Sequence, residues 1–232
     1  MIFNLFLLIS FLVALFQATA TIRVTCIGDS ITEGGACNSN GYVPILQNYL
    51  GGDYLITNAG RSSQTQLKRG LCNDLTPCSY WNTSAWTVAL ESDPDIVTIM
   101  LGTNDAKFFN WEGIQQDTGD YFALDYVDMI RKVRSLKSHP EVFIMVPPPL
   151  LQPVFDMNMT VINEIFPTLV KDIGTVIDTP IIDIYSAMLP ETYRGTDLLC
   201  DGCHPTAYGN DLIAQTMYPY IVEAAKKRMM KK

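Results

Sequence analysis

The amino-acid sequence predicts an α/β fold in which a parallel sheet of five strands is covered by helices on both faces. Five short apolar runs rich in β-branched residues alternate along the chain with stretches whose apolar residues recur every three or four positions. Runs of the first kind are typical of strands buried on both faces, and stretches of the second kind are typical of amphipathic helices. Their regular alternation indicates crossover connections between parallel strands.

The elements follow one another in a strand-then-helix order. The predicted strands are 22–27, 54–57, 96–101, 142–146 and 180–184, each a short and almost wholly apolar segment. The predicted helices are 42–50, 84–91, 121–136, 161–177 and 206–227, each with helical spacing of its apolar residues. The last helix contains Pro219, where a kink is expected because proline removes a backbone hydrogen bond.

Length and composition indicate one folded domain. The chain has 232 residues, and residues 21–232 contain no repeat, low-complexity tract or flexible linker that would divide them. The net charge is −8 at pH 7, which disfavours a nucleic acid backbone or an anionic membrane surface as the main partner. Hydrophobic residues make up 48% of the chain, so a disordered, collagen-like or coiled-coil protein is a poor fit. The oligomeric state stays open.

Residues 1–20 are predicted to be a secretory signal peptide. The stretch 2–16 is almost uninterruptedly apolar, and the Ala-Thr-Ala tripeptide 18–20 has the small residues that signal peptidase prefers. No Lys or Arg precedes the apolar stretch, so an uncleaved membrane anchor is the alternative, although the stretch is shorter than the roughly 20 residues that span a bilayer. The mature chain, residues 21–232, is expected to be soluble, in the secretory pathway or outside the cell.

Six cysteines, an even number, indicate disulfides in a secreted chain. Cys72 and Cys78 form the most plausible local bridge, because the residues between them are typical of a turn. Cys26 lies in the first predicted strand, where a buried free thiol is also consistent with the pattern. The sequons that begin at Asn82 and Asn158 agree with glycosylation during secretion.

The loops that follow the strands are expected to carry the functional residues, because ligands of open parallel sheets bind at the carboxyl ends of the strands. Ser30 follows the first predicted strand, within Gly-Asp-Ser-Ile. Its hydroxyl either acts as a nucleophile or caps a helix. A serine hydroxyl becomes a good nucleophile only when a neighbouring base accepts its proton, so the assignment requires an imidazole nearby.

The sequence contains two histidines that could supply this base. His139 lies in a Lys-Ser-His-Pro turn and is expected to be solvated. His204 precedes the last predicted helix, and Asp201 stands three residues before it. The Asp201 carboxylate could hydrogen-bond one ring nitrogen of His204 and fix its tautomer. Ser30, His204 and Asp201 are therefore the candidate catalytic residues.

Two further loops at the same sheet edge carry candidate hydrogen-bond donors. Gly60 follows the second predicted strand, and Asn104 follows the third. Ester hydrolysis passes through a tetrahedral oxyanion, and each well-aimed donor stabilises it by on the order of 3 kcal/mol. The backbone amides of Ser30 and Gly60 and the side-chain amide of Asn104 could form such an oxyanion hole. Gly and Asn are also ordinary turn residues, so neither carries the assignment alone.

Four sequence blocks together resemble the SGNH hydrolase superfamily, also called the GDSL esterases and lipases. They are Gly-Asp-Ser-Ile at 28–31, the glycine at position 60, Gly-Thr-Asn-Asp at 102–105 and Asp-Gly-Cys-His-Pro at 201–205. All four blocks occur in the order of the family and span nearly all of the mature chain. Their joint occurrence is far more specific than any single block.

The resemblance implies a flavodoxin-like three-layer α/β/α fold for this chain. It also implies a catalytic triad of Ser30, His204 and Asp201. The implied oxyanion donors are Ser30, Gly60 and Asn104. No metal or cofactor is required by this chemistry. These implied roles agree with the roles inferred from the residues alone.

Three further segments look like the branch of the family that contains sialate O-acetylesterase-like domains. They are 80–83 (Tyr-Trp-Asn-Thr), 94–105 and 146–149. The similarity implies an acetyl ester on a carbohydrate as the substrate. Aromatic side chains in or beside the ligand-edge loops could stack on a sugar ring, or they could pack the loops onto the body of the protein. These residues are Tyr80, Trp81, Phe108, Phe109 and Trp111.

The expected function is that of a secreted serine esterase acting on short-chain, acetyl esters of carbohydrates. The mature chain leaves little length for a large lid, which favours a short acyl group. A lipase, phospholipase or thioesterase with the same triad is the first alternative. The alternative from another class is a secreted carbohydrate-binding protein that has lost turnover.

Other enzyme classes lack their signatures in this sequence. There is no Gly-x-Ser-x-Gly elbow, phosphate-binding loop, dinucleotide fingerprint or His-Glu-x-x-His motif. Cys200 and Cys203 form a Cys-x-x-Cys motif beside His204. This motif is consistent with a redox pair or a zinc site, and also with a structural disulfide or a small buried hydrophobe.

Overall fold

The structure, a computed structural model, describes residues 21–116, 118–194 and 197–230. Its centre is one parallel sheet of five strands in the order β2-β1-β3-β4-β5, which is the flavodoxin-like order. The strands are β1 (Ile22–Gly28), β2 (Tyr54–Gly60), β3 (Ile96–Met100), β4 (Glu141–Val146) and β5 (Ile181–Asp183). The predicted fold class is confirmed.

Seven α-helices connect and follow the strands within the described ranges. They are α1 (Ser30–Glu33), α2 (Val43–Leu50), α3 (Ser84–Glu91), α4 (Asp120–Arg134), α5 (Phe166–Val176), α6 (Ile184–Tyr193) and α7 (Ala207–Met230). Four shorter helical turns also occur. Two are 3-10 turns, at Ala36–Asn38 and Tyr80–Asn82, and two are π-helical turns, at Phe109–Ile114 and Val161–Ile165.

Two hydrophobic cores, one on each face of the sheet, explain why the central strand β3 is buried over its whole length. Side chains of α3, α4 and α5 pack against one face, and side chains of α2, α6 and α7 pack against the other. Successive residues of a strand serve opposite cores, as Ile96 and Val97 in β3 show. The result is the three-layer arrangement that the resemblance implied.

The last third of the chain differs most from the predicted elements. Strand β5 ends at Asp183 and α6 begins at the next residue, because the Asp183 carboxylate accepts a hydrogen bond from the Ser186 amide at 2.9 Å and caps the helix. The sequence analysis missed α6, which contains Pro190 and has no clear apolar stripe. The predicted helix 161–177 is divided into a π-helical turn and α5, and α7 continues on both sides of Pro219.

Two disulfides lie in loops at the ligand edge of the sheet, one within a single loop and one between two loops. The predicted Cys72–Cys78 bridge is confirmed, and Cys37 is bonded to Cys200. Cys26 and Cys203 are buried free thiols. The Cys-x-x-Cys motif is therefore neither a redox pair nor a pair of thiolate ligands, since Cys200 bonds to a distant cysteine.

Among the residues described, no helix is long and apolar enough to cross a membrane. The predicted signal peptide, residues 1–20, lies outside the described residues.

We expect the two disulfides to contribute unequally to the free energy of unfolding. Cys37 and Cys200 are 163 residues apart and Cys72 and Cys78 are six apart, so the chain-entropy argument gives about 5 kcal/mol for the long loop and about 2 kcal/mol for the short one. Urea unfolding of the paired Cys→Ala variants measures both values. Equal losses for the two pairs would contradict a loop-entropy origin.

Candidate active site

Ser30 lies at the ligand edge because the chain turns sharply from β1 into α1. The Asp29 side chain accepts a hydrogen bond from the Ile31 amide at 3.0 Å and caps this short helix. A Cβ atom at Gly28 would lie 2.0 Å from Thr32 Oγ1 and 2.9 Å from Met100 O, so the close approach of strand and helix requires glycine. Ser30 is the first residue of α1, and its hydroxyl faces the loop before α7.

Ser30, His204 and Asp201 form a continuous chain of hydrogen bonds. The Oγ atom of Ser30 lies 3.0 Å from Nε2 of His204, and Nδ1 of His204 lies 2.7 Å from Oδ2 of Asp201. The structure therefore brings together the three residues that the sequence indicated, although 174 positions separate Ser30 from His204. This is the geometry in which an imidazole can accept a serine proton while a carboxylate orients the ring.

Asp201 also holds the backbone of its own loop. Its Oδ1 atom accepts hydrogen bonds from the His204 amide at 2.7 Å and from the Cys203 amide at 3.0 Å. Partial burial opposes ionisation, but the hydrogen bonds from His204 and Cys203 outweigh it and hold the pKa of Asp201 below its usual range. The carboxylate thus stays ionised opposite the imidazole at neutral pH.

The Cys37–Cys200 disulfide ties the loop after α1 to the loop that carries His204. The Cys200 amide donates to the His204 carbonyl at 3.0 Å, so the disulfide is linked to the backbone of the histidine. On the other side, the ring of Phe155 meets the His204 imidazole edge to face, with the ring centroids 5.6 Å apart. These contacts fix the position of the imidazole.

Two predicted oxyanion donors belong to residues that line the same cavity, Ser30 and Asn104. The Ser30 amide has no protein acceptor among the described residues. Asn104 is 96% buried in the loop after β3, and its side-chain amide donates to the Gln64 carbonyl at 3.2 Å. An amide nitrogen carries two hydrogens, so the second hydrogen of Asn104 remains available at the cavity.

The third predicted donor, Gly60, is placed differently from the expectation. Its backbone amide donates to Oδ1 of Asn58 at 2.9 Å, and Gly60 does not line the cavity at Ser30. A Cβ atom at this position would lie 2.1 Å from the Glu33 amide nitrogen. The glycine is therefore explained by the tight packing of the loop on α1, and the structure does not bring its amide together with the other two donors.

Two buried carboxyl groups, those of Asp29 and Asp105, hold the backbone of the loops that surround Ser30. Asp105 accepts hydrogen bonds from the amides of Gln66 and Leu67, both at 2.8 Å, and so joins the loop after β3 to the loop after β2. Burial raises the pKa of Asp105 to about 7 and the pKa of Asp29 to about 6. Both groups are enclosed, so they hold the loops after β1 and β3 in place without meeting solvent.

The raised pKa of Asp105 predicts that stability falls between acidic and neutral pH. The folded protein holds this proton up to about pH 7, whereas the unfolded chain loses it near pH 4. Its stabilising contribution is thus complete below about pH 4 and is lost as the pH rises to about 7. Between pH 5 and pH 8, we expect Asp105 alone to reduce the free energy of unfolding by about 2 to 3 kcal/mol.

Urea unfolding of the wild type and of Asp105→Asn at pH 5 and pH 8 measures this contribution. The variant should lose much less stability between the two pH values, even where its absolute stability is lower. Asp172→Asn, which alters an exposed carboxylate, is the matched control and should keep the wild-type dependence. An unchanged dependence in Asp105→Asn would contradict the assignment.

A cavity of about 640 Å³ opens at Ser30 and His204. Its polar lining comes mainly from segments that the sequence analysis did not single out: Ser62, Ser63, Asn73, Asp74, Thr76 and Lys107. Asn73, Asp74 and Thr76 belong to the loop closed by the Cys72–Cys78 disulfide. The turn between Cys72 and Cys78 could be predicted from the sequence. That its residues line the same cavity as Ser30 follows only from the folded chain.

None of the predicted aromatic substrate contacts lines this cavity. Tyr80 and Trp111 are almost fully buried and belong to the hydrophobic core. Trp81 packs against Trp86, with Lys68 Nζ 4.7 Å from its ring centroid, and Phe108 is exposed and does not line the cavity. Burial excludes Tyr80 and Trp111 as surface contacts, and the structure does not bring Trp81 or Phe108 to the cavity at Ser30.

Phe155 and Lys107 are functional candidates that the sequence analysis missed. Phe155 is 43% exposed and contributes an aromatic wall beside His204. Lys107 is 97% buried, and its ammonium donates to Oδ1 of Asn73 at the cavity. Burial lowers the pKa of Lys107, while Asp156 and other acidic groups oppose that shift. The cavity that Ser30 lines therefore also contains a charged hydrogen-bond donor.

Comparison with known proteins agrees with this fold. The model of the GDSL-like Lipase/Acylhydrolase family matches residues 26–212. An acetylxylan esterase of Xylanibacter ruminicola is 31% identical over 214 residues, which are 84% of this chain and 42% of that protein. The chain thus spans less than half the length of this relative.

Solved structures of esterases share the fold at low sequence identity. A carbohydrate acetylesterase family member from Sinorhizobium meliloti superposes with a TM-score of 0.66 at 20% identity, covering 88% of this chain and 98% of that one. The native aryl esterase of M. smegmatis gives a TM-score of 0.65 at 19% identity, covering 88% and 99%. At this level of identity, the likeness supports the fold alone.

Proposed function

The chain belongs to the GDSL-like lipase/acylhydrolase family, and we propose that it is a serine esterase that removes acetyl groups from carbohydrates. The observation that carries the proposal is the hydrogen-bonded chain from Asp201 through His204 to Ser30 at an open cavity. The name of the acetylxylan esterase relative supports an acetyl ester on a sugar as the substrate.

In the proposed mechanism, Ser30 Oγ attacks the carbonyl carbon of the ester while His204 Nε2 accepts the hydroxyl proton. The tetrahedral intermediate collapses, His204 returns the proton to the leaving sugar oxygen, and an acyl-enzyme remains on Ser30. Water then repeats both steps and releases acetic acid and free Ser30. Asp201 orients the imidazole throughout and stabilises its charged form.

The oxyanion of each tetrahedral intermediate is proposed to accept hydrogen bonds from the Ser30 amide and from the Asn104 side chain. The Ser30 amide has no protein acceptor among the described residues, and Asn104 is buried and lines the same cavity. Donors held in position before the reaction stabilise the developing charge without reorganisation, which is the usual source of a large rate enhancement.

The lining of the cavity supports a carbohydrate as the alcohol part of the ester. Lys107 supplies hydrogen-bond donors, and Asp74, an exposed carboxylate, supplies acceptors. Sugar hydroxyl groups both donate and accept, so they match this mixed lining better than an alkyl chain does. Two acetylated sugars should be compared as substrates. Acetylated xylose units are suggested by the name of the acetylxylan esterase relative. O-acetylated sialic acid is suggested by the resemblance to sialate O-acetylesterase-like domains.

Acetate release tests the proposed function. The wild-type protein is incubated with acetylated xylo-oligosaccharides, with O-acetylated sialic acid and with p-nitrophenyl esters of increasing acyl length, and Ser30→Ala serves as the blank. Preference for acetyl esters and for an acetylated sugar supports the proposal. Hydrolysis of long-chain esters alone would favour a lipase, and sugar binding without acetate release would favour a binding protein.

We also propose that residues 1–20 direct the chain into the secretory pathway and are then removed. The Cys37–Cys200 and Cys72–Cys78 disulfides support an oxidising compartment. N-terminal sequencing of the protein recovered from the medium of expressing cells should begin at Thr21. Retention of the apolar segment in membranes would contradict cleavage.

A further inference from the structure

We propose that the exposed faces of α2 and α7 form a second, non-catalytic binding surface that holds a neutral polysaccharide chain. The inference rests on the proposed function, because it assumes that the acetyl ester is carried by a sugar polymer. It goes beyond that function by assigning a surface outside the cavity at Ser30. The tyrosine surface, as we name it, consists of Tyr49 in α2 and of Tyr208, Asp211, Gln215 and Tyr218 in α7.

The four α7 residues of the tyrosine surface lie in one row along the helix. They are separated by three, four and three positions, and side chains at these spacings are neighbours on a helix surface. From Tyr208 to Tyr218 the row extends about 15 Å, since each helical residue adds about 1.5 Å along the axis. Helix α7 begins three residues after His204, so the row starts at the end of the helix that adjoins the loop of the catalytic histidine.

Two of the tyrosine rings line an open groove of about 490 Å³, together with Gln215. Tyr49 and Tyr218 are 41% and 40% exposed, so both rings are accessible to a ligand. They meet edge to face, with the ring centroids 6.3 Å apart and the planes at 75°. Two rings at this angle cannot both lie flat on one planar surface. They therefore fit a single flexible chain better than the face of a crystalline polymer.

Hydrogen bonds hold the polar groups of the tyrosine surface in place. The Asp211 carboxylate accepts from the Tyr49 hydroxyl and from Nε2 of Gln215, the latter at 2.7 Å. The Tyr208 hydroxyl donates to Oε2 of Glu191 at 3.3 Å. Oε1 of Gln215 has no donor among the described residues, so it can accept from a sugar hydroxyl. Groups that are ordered before binding lose less conformational entropy when the ligand arrives.

The charge of the two helices favours a neutral partner. Helix α2 and residues 207–225 of α7 contain no Lys or Arg, so this face does not attract a nucleic acid backbone or an anionic membrane. A strongly anionic polymer is likewise disfavoured, because the charged member of the tyrosine surface is the carboxylate of Asp211.

The apolar side chains of this face favour a sugar over a protein. In the described residues, every large hydrophobic side chain that α2 and this part of α7 expose is a tyrosine. Protein interfaces commonly add Met and Arg to such rings. A tyrosine offers an apolar ring face to the C–H groups of a sugar and a hydroxyl to its polar groups. The tyrosine surface therefore matches the mixed character of a neutral polysaccharide.

Polymer binding without hydrolysis tests the proposal. In a Ser30→Ala background, affinity electrophoresis measures binding to two neutral polymers, acetylated xylan and acetylated glucomannan. We expect the double substitution Tyr49→Ser and Tyr218→Ser to weaken binding to at least one polymer by about tenfold. Tyr121→Ser is the matched control, because Tyr121 is 44% exposed on α4 and α4 packs on the opposite face of the sheet.

Three outcomes would overturn the proposal. The first is that the Ser30→Ala protein binds neither polymer. The second is that the double variant binds both polymers as well as its parent does, and the third is that Tyr121→Ser weakens binding equally. Tyr218→Phe keeps the ring and should bind like the parent, whereas Tyr218→Ser should not; equal losses in these two variants would contradict stacking on the ring.

Kinetics separate this inference from the proposed function. With Ser30 intact, the double variant should raise KM for the acetylated polymer by about tenfold, because the second contact no longer holds the chain near the cavity. Its kcat and KM for p-nitrophenyl acetate should equal those of the wild type. A wild-type protein that hydrolysed no ester would overturn the proposed function, while the binding comparison would still decide the inference.

Gel filtration distinguishes a sugar polymer from a second copy of the chain as the occupant of the tyrosine surface. We expect the wild type and the double variant to elute at the same volume. Conversion of a dimer into a monomer by the double substitution, with polymer binding unchanged, would overturn the proposal and assign the surface to self-association.

Discussion

Replacing Ser30 with alanine is expected to reduce the rate constant of ester hydrolysis by about a millionfold. The substitution removes the only hydroxyl that lies 3.0 Å from Nε2 of His204 in the described residues, and with it the nucleophile of the proposed mechanism. The backbone amide of residue 30 and the cavity remain, so binding of the acetylated sugar should persist. The expected signature is therefore a loss of kcat with binding retained.

The measurement compares acetate release and sugar binding for wild type, Ser30→Ala and Ser135→Ala. Ser135 lies at the end of α4, is exposed and is remote from the cavity, so its substitution should leave both quantities unchanged. Retention of even a tenth of the wild-type rate by Ser30→Ala would rule out the proposed mechanism.

Replacing Asp201 with asparagine is expected to lower kcat by about ten thousandfold. An asparagine can keep the Oδ1 acceptor for the amides of His204 and Cys203, so the loop geometry should be preserved. Its NH₂ group would face Nδ1 of His204, which favours the tautomer that carries hydrogen on Nε2. An imidazole in that tautomer cannot accept the proton of Ser30.

Thermal unfolding and steady-state kinetics together test this prediction. Asp201→Asn should unfold close to the wild type but turn over very slowly, whereas Asp201→Ala loses both the ring partner and the loop acceptor and should also be less stable. Asp197→Asn changes an exposed carboxylate a few residues away and should leave kcat unchanged. A kcat of Asp201→Asn within tenfold of wild type would contradict the role of the carboxylate in orienting His204.

The sequence by itself determined the fold class and the three residues of the candidate triad. Strand and helix periods are local properties, and the central strand β3 is mostly apolar because both of its faces are buried, so the alternation of elements predicted the sheet correctly. Ser30, Asp201 and His204 were found because few residue types can perform nucleophilic catalysis and the chain has only two histidines. The carboxyl ends of parallel strands meet at one edge, which justified expecting them together.

Only the tertiary structure decided which other groups surround Ser30. A motif indicated Gly60 as a donor, but the direction of its peptide group depends on the hydrogen bonds to Asn58 and Tyr80. The burial of Tyr80 and Trp111 likewise depends on long-range packing. The same is true of the Cys37–Cys200 bridge across 163 positions. Periodicity and short motifs report neighbours along the chain, whereas peptide orientation and cavity lining are set by neighbours in space.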